Sequence, residues 1–187
     1  MTAITRIFDF PYYQLETYNL SKAFTTKYNG EWKSISTKEY IDKANAISRG
    51  LLKLGVQPND KIAVISTTNR TEWNVLDIGV LQVGAQNVPI YPTICKEDYE
   101  YILNHSEAIY CFASDKEIIE KLNAIKGNTK LKGVFTFDDI DGEKSWEDVL
   151  ELGKDESKFD RLATVLYNLL ETVRIAILSS IFVLKVE

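Results

Sequence analysis

A chain of 187 residues has the size of one ordinary domain. With 45% hydrophobic residues, 26% charged residues and only four prolines, it carries enough apolar surface to offset chain entropy, which excludes disordered, collagen-like and low-complexity architectures. A formal net charge of −5, with no run of Lys or Arg forming a basic stripe, excludes nucleic acid as a partner.

The chain begins with a short helix over 12–18 and two strand-like runs, 23–28 and 31–35, separated by Asn29-Gly30. That dipeptide accepts positive φ at both turn positions, so it closes a tight β-hairpin. Ser36 followed by Glu39 is the pattern of a helix start, in which hydroxyl and carboxylate satisfy the first free N–H groups. Tyr40, Ala44, Ile47, Leu51 and Leu54 recur at steps of four and three on one face, and Gly55 supplies a left-handed stop before Pro58.

Residues 61–66, Lys-Ile-Ala-Val-Ile-Ser, form a short apolar run suited to a strand covered on both faces. A helix follows, with Thr71 as the expected cap, Trp73, Leu76, Val80 and Val83 on the inward face, and Gly84 at its end. Trp73 is expected to be buried. Further along come a strand over 87–90, a helix over 96–105 with Tyr99, Ile102 and Leu103 inward, and a strand over 108–113. Asp115 then caps a helix running to Ile125, and 134–137 is a fourth strand. Strands alternating with helices at this spacing make right-handed βαβ units and a mostly parallel sheet with helices on both faces.

Few residues carry chemistry of their own. His105 lies at a helix end, where a surface or capping role suffices, and it has no ligand-spaced partner for a metal site. Gly79 and Gly84 have the separation of two Walker A glycines, but Ala85-Gln86 stands where Gly-Lys-Ser would be needed. No Gly-x-Gly-x-x-Gly and no Gly-x-Ser-x-Gly occurs. The carboxylates Asp138, Asp139 and Asp141, and the pair Asp155-Glu156, read as solvated acidic loops. Cys95 and Cys111 lack the spacing of a zinc site or disulfide framework and are expected to be reduced and buried for packing. No catalytic, cofactor-binding or metal-ligating residue is assigned.

The informative segments are 67–73, Thr-Thr-Asn-Arg-Thr-Glu-Trp; 84–93, Gly-Ala-Gln-Asn-Val-Pro-Ile-Tyr-Pro-Thr; and 98–107, Asp-Tyr-Glu-Tyr-Ile-Leu-Asn-His-Ser-Glu. With the helix 36–55 and the strand entry at Lys61-Ile62-Ala63, they resemble, in order, the N-terminal part of long-chain fatty-acid-CoA ligases of the adenylate-forming AMP-binding superfamily. The resemblance covers residues 5–167. It implies a partial N-terminal subdomain of the adenylate-forming fold. It also implies a two-step reaction: a fatty acid carboxylate attacks ATP to give acyl-adenylate and pyrophosphate, and CoA thiol then displaces AMP. Magnesium would screen the phosphates. In the family, the residues for this chemistry lie mostly downstream of the region present here.

Residues 162–167, Leu-Ala-Thr-Val-Leu-Tyr, resemble the strand that leads into the family's Ser/Thr/Gly-rich phosphate loop and its Pro-Lys-Gly. Small residues there let backbone N–H groups approach phosphate oxygens. This chain instead continues Asn168-Leu169-Leu170-Glu171, with no glycine after Gly153 and no proline after Pro92. The expected division is therefore 1–167, a portion of an AMP-binding domain, and 168–187, an unrelated apolar tail.

A shifted reading frame and a naturally shortened protein are the two origins of that tail. It is dense in apolar residues between Leu169 and Leu184, and its most apolar stretch, 175–184, is well short of the roughly 18 residues that span a bilayer. Residues 1–10 have no signal-peptide core. The sequence thus reads as a cytoplasmic fragment of a fatty-acid-CoA ligase, inactive as written and without tight binding of ATP, CoA or magnesium. A non-catalytic binding or interaction module is one alternative. A membrane-surface protein acting through its tail is the other, with self-association through the tail also open.

Overall fold

The computed structural model describes residues 4–154; the expectations for Asp155-Glu156 and for 168–187 lie outside the described residues. After a single 3-10 turn, helix α1 (Phe10–Thr17) precedes an antiparallel hairpin of β1 (Phe24–Tyr28) and β2 (Glu31–Ile35). Asn29 and Gly30 sit at φ of 50° and 88°, the two positive values that the hairpin turn demands. Helix α2 (Thr37–Lys53) starts in a full capping box: Ser36 Oγ accepts from the Glu39 N–H, and the Glu39 carboxylate accepts from the Ser36 N–H at 2.7 Å. It stops at Gly55, φ 87°, where the Val56 N–H returns to the Leu51 carbonyl at 3.0 Å.

Four parallel strands follow: β3 (Lys61–Ile65), β4 (Gln86–Ile90), β5 (Ala108–Ala113) and β6 (Gly133–Thr136), in the spatial order β4-β3-β5-β6. Between them run α3 (Thr71–Gln82), α4 (Lys96–Ser106) and α5 (Lys116–Ile125), and α6 (Trp146–Leu152) closes the described chain. Side chains alternate across the sheet with the strand period of two. Ile62, Val64, Tyr110 and Phe112 join a core with α2, α3 and α6, whereas Ala63, Ile65, Cys111 and Ala113 join a second core with α4 and α5. Helices thus cover both faces. Pro89, which has no N–H to donate, sits in β4, which has β3 as its one strand neighbour among the described residues.

Several expectations are corrected. The N-cap of α3 is Arg70 rather than Thr71. Thr71 is the first helical residue, and its N–H is satisfied from outside the helix by Thr26 Oγ1 of β1 at 2.9 Å. Trp73 is partly buried rather than enclosed, while Val75, Leu76, Ile78 and Val80 are buried. The reason is that α3 is covered by the sheet on one side and by α2 and the hairpin on others, so its apolar surface is not one stripe. Cys111 is buried as expected, but Cys95 is exposed at the start of α4, its thiol donating to Asp98 Oδ2 at 3.2 Å. Helix α6, not anticipated from the sequence, is capped by Ser145 and packs Trp146, Val149 and Leu150 inward.

A buried polar chain fixes the first three helices together. Gln82 Nε2 donates to Tyr12 Oη at 3.0 Å and to Asn45 Oδ1 at 3.1 Å, and Ser48 Oγ donates to Gln82 Oε1 at 2.5 Å. Close approach needs small residues here. A Cβ on Gly79 would meet Ile47 Cγ2 at 2.5 Å, so the glycine once compared with a phosphate loop serves helix packing.

Candidate functional site

In an open parallel sheet, ligand sites form beyond the carboxyl ends of the strands, where successive connections leave in opposite directions. That point lies between β3, whose helix leads to β4 on one side, and β5, whose helix leads to β6 on the other. A concavity of about 1010 Å³ opens there, lined by Tyr28, Thr67, Arg70, Ser114, Asp138 and Trp146 among others. A second groove of about 670 Å³ adjoins it past Arg70, with Trp73, Tyr91 and Pro92 in its wall.

Arg70 is the centre of the larger concavity. Its side chain is 7% exposed, Nη2 donates to Glu72 Oε1 at 2.9 Å, and Nη1 donates to Asp138 Oδ1 at 2.9 Å and to the Ser114 carbonyl at 3.3 Å. The guanidinium carbon stands 5.2 Å from the centre of the Phe137 ring and 6.0 Å from that of Tyr28. Tyr28 Oη donates to the other Glu72 oxygen at 2.7 Å. One side chain therefore ties together the hairpin, the start of α3 and the ends of β5 and β6. Its Nε is buried with no partner.

The ionisation states follow from these contacts. Burial opposes charge on Glu72, but hydrogen bonds from Arg70 and Tyr28 and the Arg70 charge outweigh it and hold the carboxyl below its ordinary value. Burial, then the Glu72 carboxylate, pushes the Tyr28 phenol up to about 12. Beside this network, Ser114 Oγ donates to Asp115 Oδ2 at 2.6 Å and accepts from the Thr67 N–H at 3.1 Å. Burial again works against Asp115, yet the hydroxyls of Ser114 and Thr67 and the N–H of Ile118 lower its pKa overall.

A nucleotide phosphate would need free N–H groups, small residues and a cation with charge to spare. Residues 66–70 contain no glycine, the N–H groups of Thr67 and Thr71 are engaged by Ser114 and Thr26, and Arg70 is met by two carboxylates. The described residues do not fit a triphosphate. No group of three His, Cys, Asp or Glu among them fits a metal ion.

The residues singled out from the sequence do not converge. His105 is exposed and stacks on Tyr101 at 5.7 Å, far along α4 from the concavity. Asp139 and Asp141 are exposed, but Asp138 corrects the acidic-loop expectation, since it faces Arg70. Of the segment 67–73, Thr67, Thr68, Arg70 and Glu72 line the larger concavity and Trp73 the smaller. The roles of Arg70, Glu72, Tyr28, Ser114 and Asp138 escape sequence reading, because their contacts join positions 44 to 68 residues apart. The local Arg70-x-Glu72 pair was the one visible trace.

Comparison with known proteins gives the site its context. The chain is 40% identical over 85 residues to the long-chain-fatty-acid-CoA ligase FadD15 of Mycobacterium bovis, a match covering 46% of this chain and 14% of that protein. It is 25% identical over 148 residues to the long-chain-fatty-acid-CoA ligase ACSBG2 of Xenopus laevis, covering 75% of this chain and 20% of that one. In fold it resembles the crystal structure of the long-chain-fatty-acid-CoA ligase FadD1 of Archaeoglobus fulgidus, with a TM-score of 0.65 and 21% identity over 79% of this chain and 30% of that one. The chain thus spans a small part of the length of the curated relatives it matches. The model of the family described as AMP-binding enzyme matches residues 14–168, most of the sequence, and the chain belongs to that family.

Proposed function

We propose that this chain is the N-terminal portion of a long-chain fatty-acid-CoA ligase. Its work there is structural: it supplies the first parallel sheet of the adenylate-forming domain. The whole enzyme would activate a fatty acid with ATP and magnesium to acyl-adenylate and transfer the acyl group to CoA. The observation that carries this reading is the collinear likeness to fatty-acid-CoA ligases, combined with a carboxyl-edge concavity whose charges neutralise one another. On its own the 187-residue chain forms no acyl-adenylate, because transition-state stabilisation in phosphoryl and acyl transfer needs donors aimed at the developing charge. Here Arg70 is committed to Glu72 and Asp138.

A pyrophosphate-release assay with ATP, palmitate, CoA and magnesium tests this. The expected rate equals the no-protein control. Turnover that is abolished by substituting Arg70 or Ser114 would overturn the reading and place a phosphate site within these residues. The portion reading has a separate test in the nucleotide sequence after the Tyr167 codon. Another frame should encode a Ser/Thr/Gly-rich loop followed by Pro-Lys-Gly, and stop codons in every frame would reject a shifted frame as the tail's origin.

A further inference from the structure

The large apolar residues near the start of the described chain do not all turn inward. Ile7, Phe10 and Tyr18 are 64, 56 and 65% exposed. They surround one groove of about 500 Å³, whose base is formed by Phe24, Tyr40 and Ile78. Grouped apolar side chains of this kind on a water-facing surface mark a contact site. Asp77 is the one charged residue in the groove's lining.

The chain itself holds a segment of matching chemistry. Residues 169–184 contain Leu169, Leu170, Val173, Ile177, Leu178 and Ile181 among other apolar residues, and Arg174 is their only cation. The described chain ends close by. Gly153 rests on Ala46 of α2, with its carbonyl accepting from Arg49 Nε at 2.6 Å, and the preceding residue of α2, Asn45, accepts from Tyr12 of α1 at 2.8 Å. The linking residues 155–168 can extend to at most about 46–50 Å, ample to pass from α2 to the far side of α1. Tethering raises the effective concentration of this segment to the order of millimolar, which favours it over a second copy in dilute solution.

We propose that residues 169–184 of the same chain dock in the groove between α1 and the hairpin, with Arg174 toward Asp77. The tail then acts as an internal cover for an apolar surface of the domain. This goes beyond the ligase reading and does not depend on it.

Photo-cross-linking of the full chain tests the docking. A benzoylphenylalanine is placed at position 10, equal amounts of isotopically light and heavy protein are mixed and irradiated, and the adducts are mapped by mass spectrometry. The expected main adduct joins the peptide containing residue 10 to one within 169–184, in chains of a single isotope. Mixed-isotope adducts would show a second copy in the groove and overturn the proposal, as would adducts elsewhere in the chain or none. If the position-10 variant loses its near-ultraviolet circular dichroism, the same probe at the exposed Tyr18 gives the reading, with the same outcomes deciding.

Discussion

Replacing Arg70 by Met removes the charge at the centre of the carboxyl edge while keeping much of its length. Glu72, itself 6% exposed, then keeps only the Tyr28 hydroxyl as a partner. Breaking a buried ion pair from one side costs about 3–5 kcal/mol, because the remaining charge stays desolvated. Asp138 adds little, since its side chain is 49% exposed and water replaces the lost partner. For a domain of this size a loss of that order lowers the thermal midpoint by roughly 10 °C.

The pH dependence identifies the cause. In the parent, the Glu72 pKa is lowered on folding, so its contribution is present above the unfolded value of about 4.3 and is lost as pH falls through the lower folded value. In Arg70→Met the burial that opposes charge is no longer outweighed, and the folded pKa rises. The sign then reverses: the variant approaches the parent in acid and falls behind as pH rises past about 4.3. Urea unfolding followed by tryptophan fluorescence at several pH values between 4 and 8 measures both curves. A loss under about 1 kcal/mol at neutral pH, or a variant curve parallel to the parent's, would refute the buried-pair account. Adding Glu72→Gln to Arg70→Met should recover much of the loss at neutral pH, since no buried charge is left unpaired.

Other positions give sharper structural contrasts. Gly153→Ala would place a Cβ 1.7 Å from the Ala46 carbonyl oxygen, a backbone atom that cannot swing away, so α6 should separate from α2 at a cost of about 3 kcal/mol or more in urea unfolding. Gly30→Ala meets nothing within 4 Å, and its cost of about 1–2 kcal/mol comes from positive φ alone. Trp146→Ala, at a residue 6% exposed with its ring 6.1 Å from that of Phe137, should cost about 3–5 kcal/mol, whereas Trp73→Ala at the groove wall should cost less than half of that. Equal losses at the two tryptophans would show that Trp73 is as enclosed as Trp146.

The local signals in this sequence were enough to set its architecture. Asn29-Gly30, the Ser36 and Glu39 pair, Gly55 and Asp115 each act within a few residues, and the turn, the caps and the stop stand where those residues require them. Strand and helix periods likewise specified a parallel sheet covered on both faces, because burial of alternate residues is written in the order of the chain. The likeness to fatty-acid-CoA ligases was legible for the same reason, as it rests on ordered short segments. Tertiary structure alone decided the rest. That Thr26 caps α3, that Trp73 stands at a groove wall, and that Arg70 joins Glu72 and Asp138 depend on packing the hairpin against α3 and on bringing four strand ends to one edge. Such contacts join residues tens of positions apart, and no local propensity encodes them.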